Sequence, residues 1–371
     1  MTPSEEYKLN TKPPFRADHV GSLLRPPDLH QARAKAKTGH ISAAELKAVE
    51  DRAIREAIAK QEAIGLRAST DGEFRRDFWH LDFCRQLDGV TLKPVVGLTF
   101  EAEDVPPMVT VTGKLGCPRP IMSDHFAFLQ SVARNTPKLC IPAPATLHFR
   151  GGRNAISREV YPDLAEFWSD ATRAWRTAIG HIGEAGCTYL QLDDVSFSYL
   201  CDERVRANYR DHGDDPATLP RAYADAINGA LAGRPAGMSV TLHTCRGNFR
   251  STWMAAGPYQ DAVIEAMFSS DVDGFFMEYD SSRAGGFGAL RLLPRGKRVV
   301  LGLVTTKVGT LESKDELKRR IDEAAKFVPL ENLCLSPQCG FASTYHGNAL
   351  SIDEQWRKLD LVVEVARQMW G

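Results

Sequence analysis

The chain has 371 residues, of which 43% are hydrophobic and 25% charged, a composition typical of a globular protein with one large domain or two smaller ones. The 46 Lys and Arg residues nearly balance the 47 Asp and Glu residues, so nothing in the charge favours nucleic acid or an anionic membrane as a partner. The eight cysteines are scattered without a CxxC pair, the first fifteen residues are polar, and no apolar run reaches the roughly 20 residues of a membrane span. These features predict a protein of the reducing cytoplasm.

Short apolar runs alternate with amphipathic helical stretches along the whole chain. Strands are predicted at 17–20, 66–70, 139–142, 188–192, 238–242, 274–277, 298–303 and 333–335. Helices are predicted at 45–64, 124–133, 164–185, 221–231, 259–268, 314–327 and 352–369. A stretch at 90–115 is rich in Val and Thr and carries a Pro-Pro pair, and we interpret it as an inserted β-hairpin.

Without the hairpin, this pattern contains eight strands, seven of which are followed by a predicted helix, and we count it as eight strand–helix units. Eight such units predict a single-domain (β/α)8 TIM barrel over residues 1–371, with the hairpin inserted after the second strand. In such barrels, reactive side chains gather where the strands end.

Four residues at the predicted strand ends form a set that suits zinc. His243 and Cys245 follow the fifth strand at a spacing that places both side chains on one side of it. Glu278 follows the sixth strand, and Cys339 lies in a loop after the eighth. Imidazole, thiolate and carboxylate are all zinc ligands, and four of them complete a tetrahedral site.

The charge of this set favours thiol chemistry. One Zn²⁺ with two thiolates, one carboxylate and a neutral imidazole carries a net charge of −1, which makes it a poor activator of water. Such a centre is suited to holding an incoming thiol as a nucleophilic thiolate. Glu278 would be the most exchangeable ligand.

Simpler interpretations remain open for each of these residues. A His-x-Cys pair also occurs by coincidence in protein cores, and the other cysteines are expected to fill apolar space. Asp193-Asp194 could cap a helix, and Asp71-Gly72-Glu73 could form a turn. His19 could be a structural histidine, and Lys307 could be an exposed lysine on the barrel rim or a proton donor to a leaving group.

Several motifs together resemble the cobalamin-independent methionine synthase family, in particular single-barrel members that correspond to its C-terminal catalytic half. The motifs are Phe15-Arg16-Ala17-Asp18-His19-Val20-Gly21-Ser22, Thr70-Asp71-Gly72-Glu73-Phe74, Gln191-Leu192-Asp193-Asp194, His243-Thr244-Cys245-Arg246-Gly247-Asn248 and Gln338-Cys339-Gly340. The resemblance covers nearly the whole chain and implies zinc bound by His243, Cys245, Glu278 and Cys339.

By the same resemblance, the methyl acceptor is homocysteine and the product is methionine. Ser22 would bind the carboxylate of the amino acid, and Glu73 and Asp193 would bind its ammonium group. Asp71 and Asp194 complete the predicted substrate-binding set, and Asp193 and Lys307 are the predicted catalytic residues.

The methyl donor is the point at which the chain departs from the long members of this family. Those enzymes have a second barrel that helps to bind folate, and a histidine in the loop after the seventh strand. Here that loop reads Leu303-Val304-Thr305-Thr306-Lys307-Val308-Gly309, without histidine. The donor could be methyltetrahydrofolate or a methylated corrinoid protein. Alternatives are alkyl transfer to another thiol, as in epoxide–coenzyme M transferases, a metal-free barrel related to uroporphyrinogen decarboxylase, and a binding protein with a purely structural zinc.

Overall fold

The computed structural model describes residues 12–94 and 106–371. Its strands are β1 (Ala68–Ser69), β2 (Asp88–Lys93), β3 (Met108–Gly116), β4 (Thr136–Pro137), β5 (Leu139–Pro142), β6 (Tyr189–Asp194), β7 (Ser239–Thr244), β8 (Gly274–Glu278), β9 (Arg298–Val304) and β10 (Leu333–Pro337).

The centre of the molecule is a parallel sheet in which β5 to β10 lie in sequential order. These strands are almost wholly buried, as expected for a parallel sheet covered by helices. The register places Leu192 beside Leu242 and Asp193 beside His243. Because all six strands run the same way, their carboxyl ends meet at one edge of the sheet.

The first two predicted strands contribute little to this sheet. Ala17 forms a single parallel bridge with Leu335, and β1 pairs only with the short β4. One reason is that the Asp18 carboxylate accepts hydrogen bonds from the backbone N–H groups of Phe15 and His19, which lie in the same segment. The structure therefore shows six strands of one parallel sheet within the described residues, and closure into an eight-stranded barrel stays a prediction.

The predicted hairpin corresponds in part to an antiparallel pair, since β2 and β3 align Val90 with Val111 and Leu92 with Val109. Residues 95–105 of the predicted stretch lie outside the described residues. That the stretch is an insertion into the barrel stays a prediction.

The helices lie on the outside of the sheet. They are α1 (Pro27–Lys37), α2 (Ala43–Ala63), α3 (Leu81–Cys84), α4 (Ser123–Val132), α5 (Leu164–Glu184), α6 (Ser196–Tyr199), α7 (Glu203–Asp211), α8 (Leu219–Leu231), α9 (Asp261–Phe268), α10 (Lys314–Ala324) and α11 (Ile352–Trp370).

Helix α5 illustrates why these helices form and where they pack. The Asp163 side chain accepts a hydrogen bond from the backbone N–H of Ala165 and so caps the helix. Phe167, Trp175 and Ile179 recur at helical spacing and are fully buried. The sequence analysis did not predict α1 and α7, which are polar and bury few side chains. No helix within residues 12–94 and 106–371 is long and apolar enough to cross a membrane.

Candidate functional site

The carboxyl ends of the central strands bring several of the predicted site residues to one edge. Asp193 is the penultimate residue of β6, and His243 is the penultimate residue of β7. Glu278 is the last residue of β8, and Cys339 follows β10 by two residues. All four are buried. Residues that are far apart in the sequence thus meet because their strands are neighbours in the sheet.

Three of the predicted metal ligands lie together. A nitrogen of His243 and the sulfur atoms of Cys245 and Cys339 all lie within 4.8 Å of one another. The two sulfur atoms are 3.3 Å apart, which is well beyond an S–S bond of about 2.05 Å. Two Zn–S bonds of about 2.3 Å at a tetrahedral angle would separate them by roughly 3.7 Å. The arrangement therefore needs only a small adjustment to hold a tetrahedral metal ion.

Asp193 orients the imidazole of His243. The Nδ1 atom of His243 lies 3.0 Å from Oδ1 of Asp193, and Gln191 donates to the same oxygen at 2.7 Å. Nε2 of His243 has no hydrogen-bond partner in the described part of the chain, although it is buried. This is the arrangement found at histidine ligands of metals, where one nitrogen donates to a carboxylate and the other is left for the ion.

The three ligand groups shift one another's pKa values. Burial lowers the pKa of His243, but the neighbouring Asp193 carboxylate and Cys339 sulfur outweigh it and raise that pKa to about 10. The neighbouring Cys245 thiol and His243 imidazole hold the pKa of the Cys339 thiol well below its usual range, while the pKa of Cys245 is raised in return. The site thus stabilises a thiolate even before a cation binds.

Glu278 lies next to this trio but faces other partners. Its Oε1 accepts from Nη2 of Arg283, and its Oε2 accepts from the backbone N–H of Arg246 at 3.2 Å. The same Oε2 is 3.9 Å from the sulfur of Cys245. The carboxylate is therefore within reach of the trio, with its other oxygen held by a guanidinium group.

Asp193 also belongs to a second group of buried side chains with ligand-type atoms. Glu73, the Cys140 thiol and Asp193 have ligand-type atoms within 4.8 Å of one another. Burial, helped by the Asp193 and Asp71 carboxylates and opposed by Arg76, raises the pKa of Glu73 to about 8. The nearest guanidinium nitrogen of Arg76 is 3.8 Å away, and Oε2 of Glu73 has no hydrogen-bond partner among the described residues. This pocket is short of positive charge.

Asp71 does not line the cavity, but its side chain supports the turn that carries Glu73. Its Oδ1 accepts a hydrogen bond from the backbone N–H of Glu73 at 2.9 Å. Glu73 itself has a φ of 59°, in the left-handed region that non-glycine residues seldom adopt. The backbone of Asp71-Gly72-Glu73 thus forms a turn, as one interpretation of the sequence expected. Glu73 in this turn also lines the cavity.

Ser22 lies beside the loop that carries Cys339. Its carbonyl oxygen accepts from the backbone N–H of Phe341, and a Cβ atom added to Gly340 would lie 1.8 Å from the Ser22 hydroxyl oxygen. Only glycine at position 340 allows the two loops to approach this closely. The contact brings the hydroxyl of Ser22 into the same cavity as Cys339.

The Asp194 carboxylate is occupied by local hydrogen bonds. It accepts from the hydroxyl of Ser196 at 2.7 Å and from the backbone N–H of Phe197 at 3.2 Å, at the start of α6. Burial raises its pKa to about 6. Asp194 also lines the cavity, but the capping interpretation accounts for its hydrogen bonds.

Lys307 is buried, so the alternative of an exposed rim lysine was wrong. Its ammonium group donates to the carbonyl oxygens of Gly247 and Thr252 and to Oδ1 of Asn248, at 3.1 to 3.3 Å. These three contacts use all three of its donors. The lysine therefore anchors the loop that follows Cys245. His19 is also buried, and burial lowers its pKa to about 4, in keeping with a neutral structural histidine.

The sequence analysis missed the mainly aromatic part of the cavity lining. The cavity has a volume of about 90 Å³, and Trp79, His80, Phe149, Arg150 and Tyr199 also line it. Burial, with a smaller effect of Arg150, lowers the pKa of His80 to about 3. No strand-end pattern marked these residues, since four of them lie in irregular segments after β1 and β5, and Tyr199 ends the short helix α6. Their only sequence signal is their place just after predicted strands.

The chain matches known proteins over its whole length. The model of the cobalamin-independent synthase catalytic domain matches residues 15–368. The Bacillus subtilis protein YxjH is 47% identical over 365 residues, which cover 97% of this chain and 96% of that protein. A Listeria monocytogenes crystal structure, described as a candidate vitamin-B12 independent methionine synthase, is 39% identical, covers 98% of this chain and 100% of its own, and has a TM-score of 0.77.

A longer relative is similar to this chain at a lower sequence identity. The 5-methyltetrahydropteroyltriglutamate–homocysteine methyltransferase of Thermotoga sp. strain RQ2 is 23% identical over 362 residues. The match covers 96% of this chain but only 45% of that protein. The family match and the extent of the likeness to YxjH show that the chain belongs to the family of cobalamin-independent synthase catalytic domains and has its α/β-barrel fold.

Proposed function

We propose that this protein transfers a methyl group to the thiol of homocysteine and so forms methionine, with a zinc ion held by His243, Cys245, Cys339 and Glu278. The observation that carries the proposal is the meeting, in one buried cavity, of a soft metal-ligand trio and an acidic pocket in which the Arg76 guanidinium lies 3.8 Å from Glu73, beyond hydrogen-bond distance. An amino acid with a thiol side chain has a sulfur atom for the metal-ligand trio and an ammonium group for the acidic pocket.

The ligand trio fits zinc in its chemistry and in its spacing. Two cysteines, one of which is already stabilised as a thiolate, lie beside a histidine whose free Nε2 has no other partner. Glu278 can supply a fourth ligand, since its Oε2 lies 3.9 Å from the sulfur of Cys245. When bound, zinc would keep the substrate thiol ionised near neutral pH while leaving its sulfur nucleophilic.

The acidic pocket fits the ammonium group of the substrate. Glu73 and Asp193 face the cavity, and burial above all, with a smaller contribution from the neighbouring carboxylates, raises the pKa of Glu73 although Arg76 opposes the shift. An ammonium group placed there would lower that pKa and gain charge-assisted hydrogen bonds. Ser22 is placed to donate its hydroxyl to the carboxylate of the same amino acid.

The chain's own residues would therefore act mainly by positioning. Asp193 has two roles, since it orients His243 and contributes to the ammonium pocket. Lys307 and Asn248 hold the loop after Cys245 in place. Burial of the whole set excludes water, which strengthens these interactions and fixes the direction from which a methyl carbon can approach the sulfur.

We also propose that the barrel is closed through the first segment of the chain. The hydroxyl of Thr70 donates to the carbonyl oxygen of Gly21, and the Cys140 thiol lies 3.2 Å from that of Val20. The Thr70 contact and the bridge between Ala17 and Leu335 connect segment 17–22 to the second and eighth strands, the two neighbours that an eight-stranded barrel requires. They also place Ser22 over the mouth.

The methyl donor would occupy the aromatic half of the cavity, and it can be identified by a screen. Zinc-loaded protein is incubated with homocysteine and, in separate reactions, methyltetrahydrofolate with one or several glutamates, methylcobalamin, or a methylated corrinoid protein. We expect methionine from at least one donor. If zinc-loaded, folded protein formed no methionine with any donor yet alkylated a different thiol, the homocysteine assignment would be wrong.

Alkyl transfer to coenzyme M, the second candidate, fits the cavity less well. The sulfonate of that thiol would enter a pocket lined by Glu73 and Asp193, where it would be repelled. Among the described residues lining the cavity, Arg150 supplies the guanidinium group, and it lies with the aromatic residues.

A further inference from the structure

Glu278 is held apart from the other proposed metal ligands by a specific partner. Within the described residues, His243, Cys245 and Cys339 form a compact group without it. The guanidinium of Arg283 takes Oε1 of Glu278, while Oε2 remains 3.9 Å from the Cys245 sulfur. The Glu278 side chain is fully buried and that of Arg283 is 11% exposed, so the ion pair is shielded from water.

Arg283 has a second carboxylate partner within reach. The same nitrogen, Nη2, lies 3.0 Å from Oδ1 of Asp280, whose side chain is 3% exposed. The guanidinium also lies over the ring of Trp253, 4.7 Å from its centre. Arg283 therefore keeps a counter-charge and a packing partner whether or not Glu278 stays with it. This matters because a buried charge left without a partner is strongly destabilising.

We propose that Arg283 is a positioning residue that holds Glu278 in a displaced position, so that Glu278 exchanges between Arg283 and the metal as the substrate thiol leaves and arrives. The inference rests on the proposed function. Zinc held by His243, Cys245 and Cys339 would keep the substrate thiol ionised, with its proton passing to water, and Arg283 would pair with the Glu278 carboxylate whenever that thiolate took its place as a ligand. The net charge beside Cys245 and Cys339 is unchanged.

This arrangement has two thermodynamic consequences of opposite sign. Arg283 stabilises the states in which Glu278 is off the metal, which are the metal-free and the thiol-bound states. Removing Arg283 should therefore strengthen zinc binding in the absence of thiol and weaken thiol binding to the zinc-loaded protein, because both effects follow from one coupling. A role in folding alone would not produce this pair of changes.

The test is Arg283→Gln, measured in two ways on the full-length protein. Zinc affinity without thiol is measured by competition with a chromophoric chelator, and we expect it to rise about fivefold or more. Homocysteine is then titrated into zinc-loaded protein while the zinc-edge X-ray spectrum reports the gain of a sulfur ligand. We expect the midpoint of this titration to move about tenfold or more toward higher concentration.

Three further variants make the test specific. Asp280→Asn leaves Arg283 with Glu278 as its remaining acidic partner, so zinc affinity should fall, and this variant also serves if Arg283→Gln does not fold. In a Glu278→Gln background, Arg283→Gln should no longer shift the thiol titration. Arg291→Gln removes an exposed ion pair with Asp261 and should change neither quantity.

The outcomes separate this inference from the function on which it rests. If wild-type protein binds zinc but homocysteine never adds a sulfur, the homocysteine assignment fails while the zinc measurements still test Arg283. If Arg283→Gln folds and leaves zinc affinity and the thiol titration unchanged, or shifts thiol binding equally in the Glu278→Gln background, the exchange role of Arg283 is overturned.

Discussion

Nδ1 of His243 lies 3.0 Å from Oδ1 of Asp193, and this contact joins the proposed metal centre to the proposed ammonium pocket. One carboxylate thereby serves two neighbouring groups of different chemistry. A substrate whose ammonium group binds at Asp193 is automatically placed beside the metal ligand that Asp193 orients. Positioning of the acceptor and tuning of the metal centre are therefore coupled through a single residue.

Asp193→Asn should weaken both halves of the site. The amide can still accept a hydrogen bond from His243, but its charge is lost, so we expect zinc affinity to fall about 10- to 100-fold and homocysteine affinity to fall as well. Chelator competition and calorimetric titration measure the two effects. The neighbouring variant Asp194→Asn is the matched control, since that carboxylate caps α6: it should lower the melting temperature and leave zinc affinity unchanged. Equal loss of zinc by both variants would contradict the assignment.

Glu73 should make the stability of the ligand-free protein depend on pH. Its pKa is raised from 4.5 to about 8 by burial, so between these values the folded state holds a proton that the unfolded state has released. Stability therefore falls as pH rises through this window. Glu73→Gln removes the effect, and its stability relative to wild type should increase by about 2 to 4 kcal/mol between pH 5 and pH 8.

Urea unfolding of metal-free protein at several pH values measures this difference. Glu45→Gln provides a control, because that carboxylate is exposed at the start of α2 and caps the helix. If wild type and Glu73→Gln show parallel pH profiles, Glu73 does not titrate in this window, and the argument for an uncompensated acidic pocket is lost.

Ser22→Ala should reduce homocysteine binding without affecting zinc. A hydrogen bond to a charged group contributes about 1.5 to 3 kcal/mol, so affinity should fall roughly 10- to 150-fold if the hydroxyl binds the substrate carboxylate. Zinc affinity should stay within about twofold, since Ser22 contacts none of the proposed ligands directly. Cysteamine, which has the amine and the thiol but no carboxylate, is the matched ligand: its binding should be the same in wild type and Ser22→Ala.

Much of the site could be predicted from the sequence because strand-end positions follow from simple patterns. The apolar run before His243 and the spacing to Cys245 were enough to place both side chains at one edge of a parallel sheet. The role of Lys307 could not be read in this way, because its acceptors are mainly backbone carbonyls of a loop whose path no residue pattern specifies. The Glu278–Arg283 pair was missed for a similar reason, since a turn after β8 brings the two together.

The same limit applies to the fold. Strands β5 to β10 are marked by continuous buried runs, and the sequence analysis placed them within a few residues. The first segment differs, because Asp18 binds nearby backbone N–H groups and leaves a single bridge at Ala17. Periodicity predicts a strand there but does not show how side-chain hydrogen bonds compete with the sheet.

Lys307→Met distinguishes anchoring from proton donation. Loss of the ammonium group removes the donor from the Gly247 and Thr252 carbonyl oxygens, while the Asn248 amide oxygen still accepts from Asn348, and we expect stability to fall by about 2 to 4 kcal/mol. Because the lysine faces the loop rather than the cavity, the pH–rate profile of the folded fraction should keep its shape. Loss of an alkaline limb from that profile would instead show that Lys307 supplies a proton.

Cys339→Ser should remove zinc and methyl transfer together. Cys339 contributes one of the two sulfur atoms that lie 3.3 Å apart, and serine offers a harder and far less acidic ligand. We expect about one zinc per wild-type chain, because four ligands make one site, and zinc below about a tenth of that in the variant after dialysis against a weak chelator. Elemental analysis and the methionine assay measure the two losses.

Cys334→Ser is the matched control, because Cys334 is equally buried, lies five positions earlier in β10 and faces the carbonyl oxygen of Pro14 instead of the cavity. Its substitution should lower stability through the buried hydroxyl but leave zinc content at wild-type levels. If Cys339→Ser retained full zinc while Cys334→Ser lost it, the metal would have to lie elsewhere. Within residues 12–94 and 106–371, the sulfur atoms that meet His243 lie at the carboxyl edge of the sheet, so the two variants decide whether the cavity proposed to bind the acceptor also holds the metal.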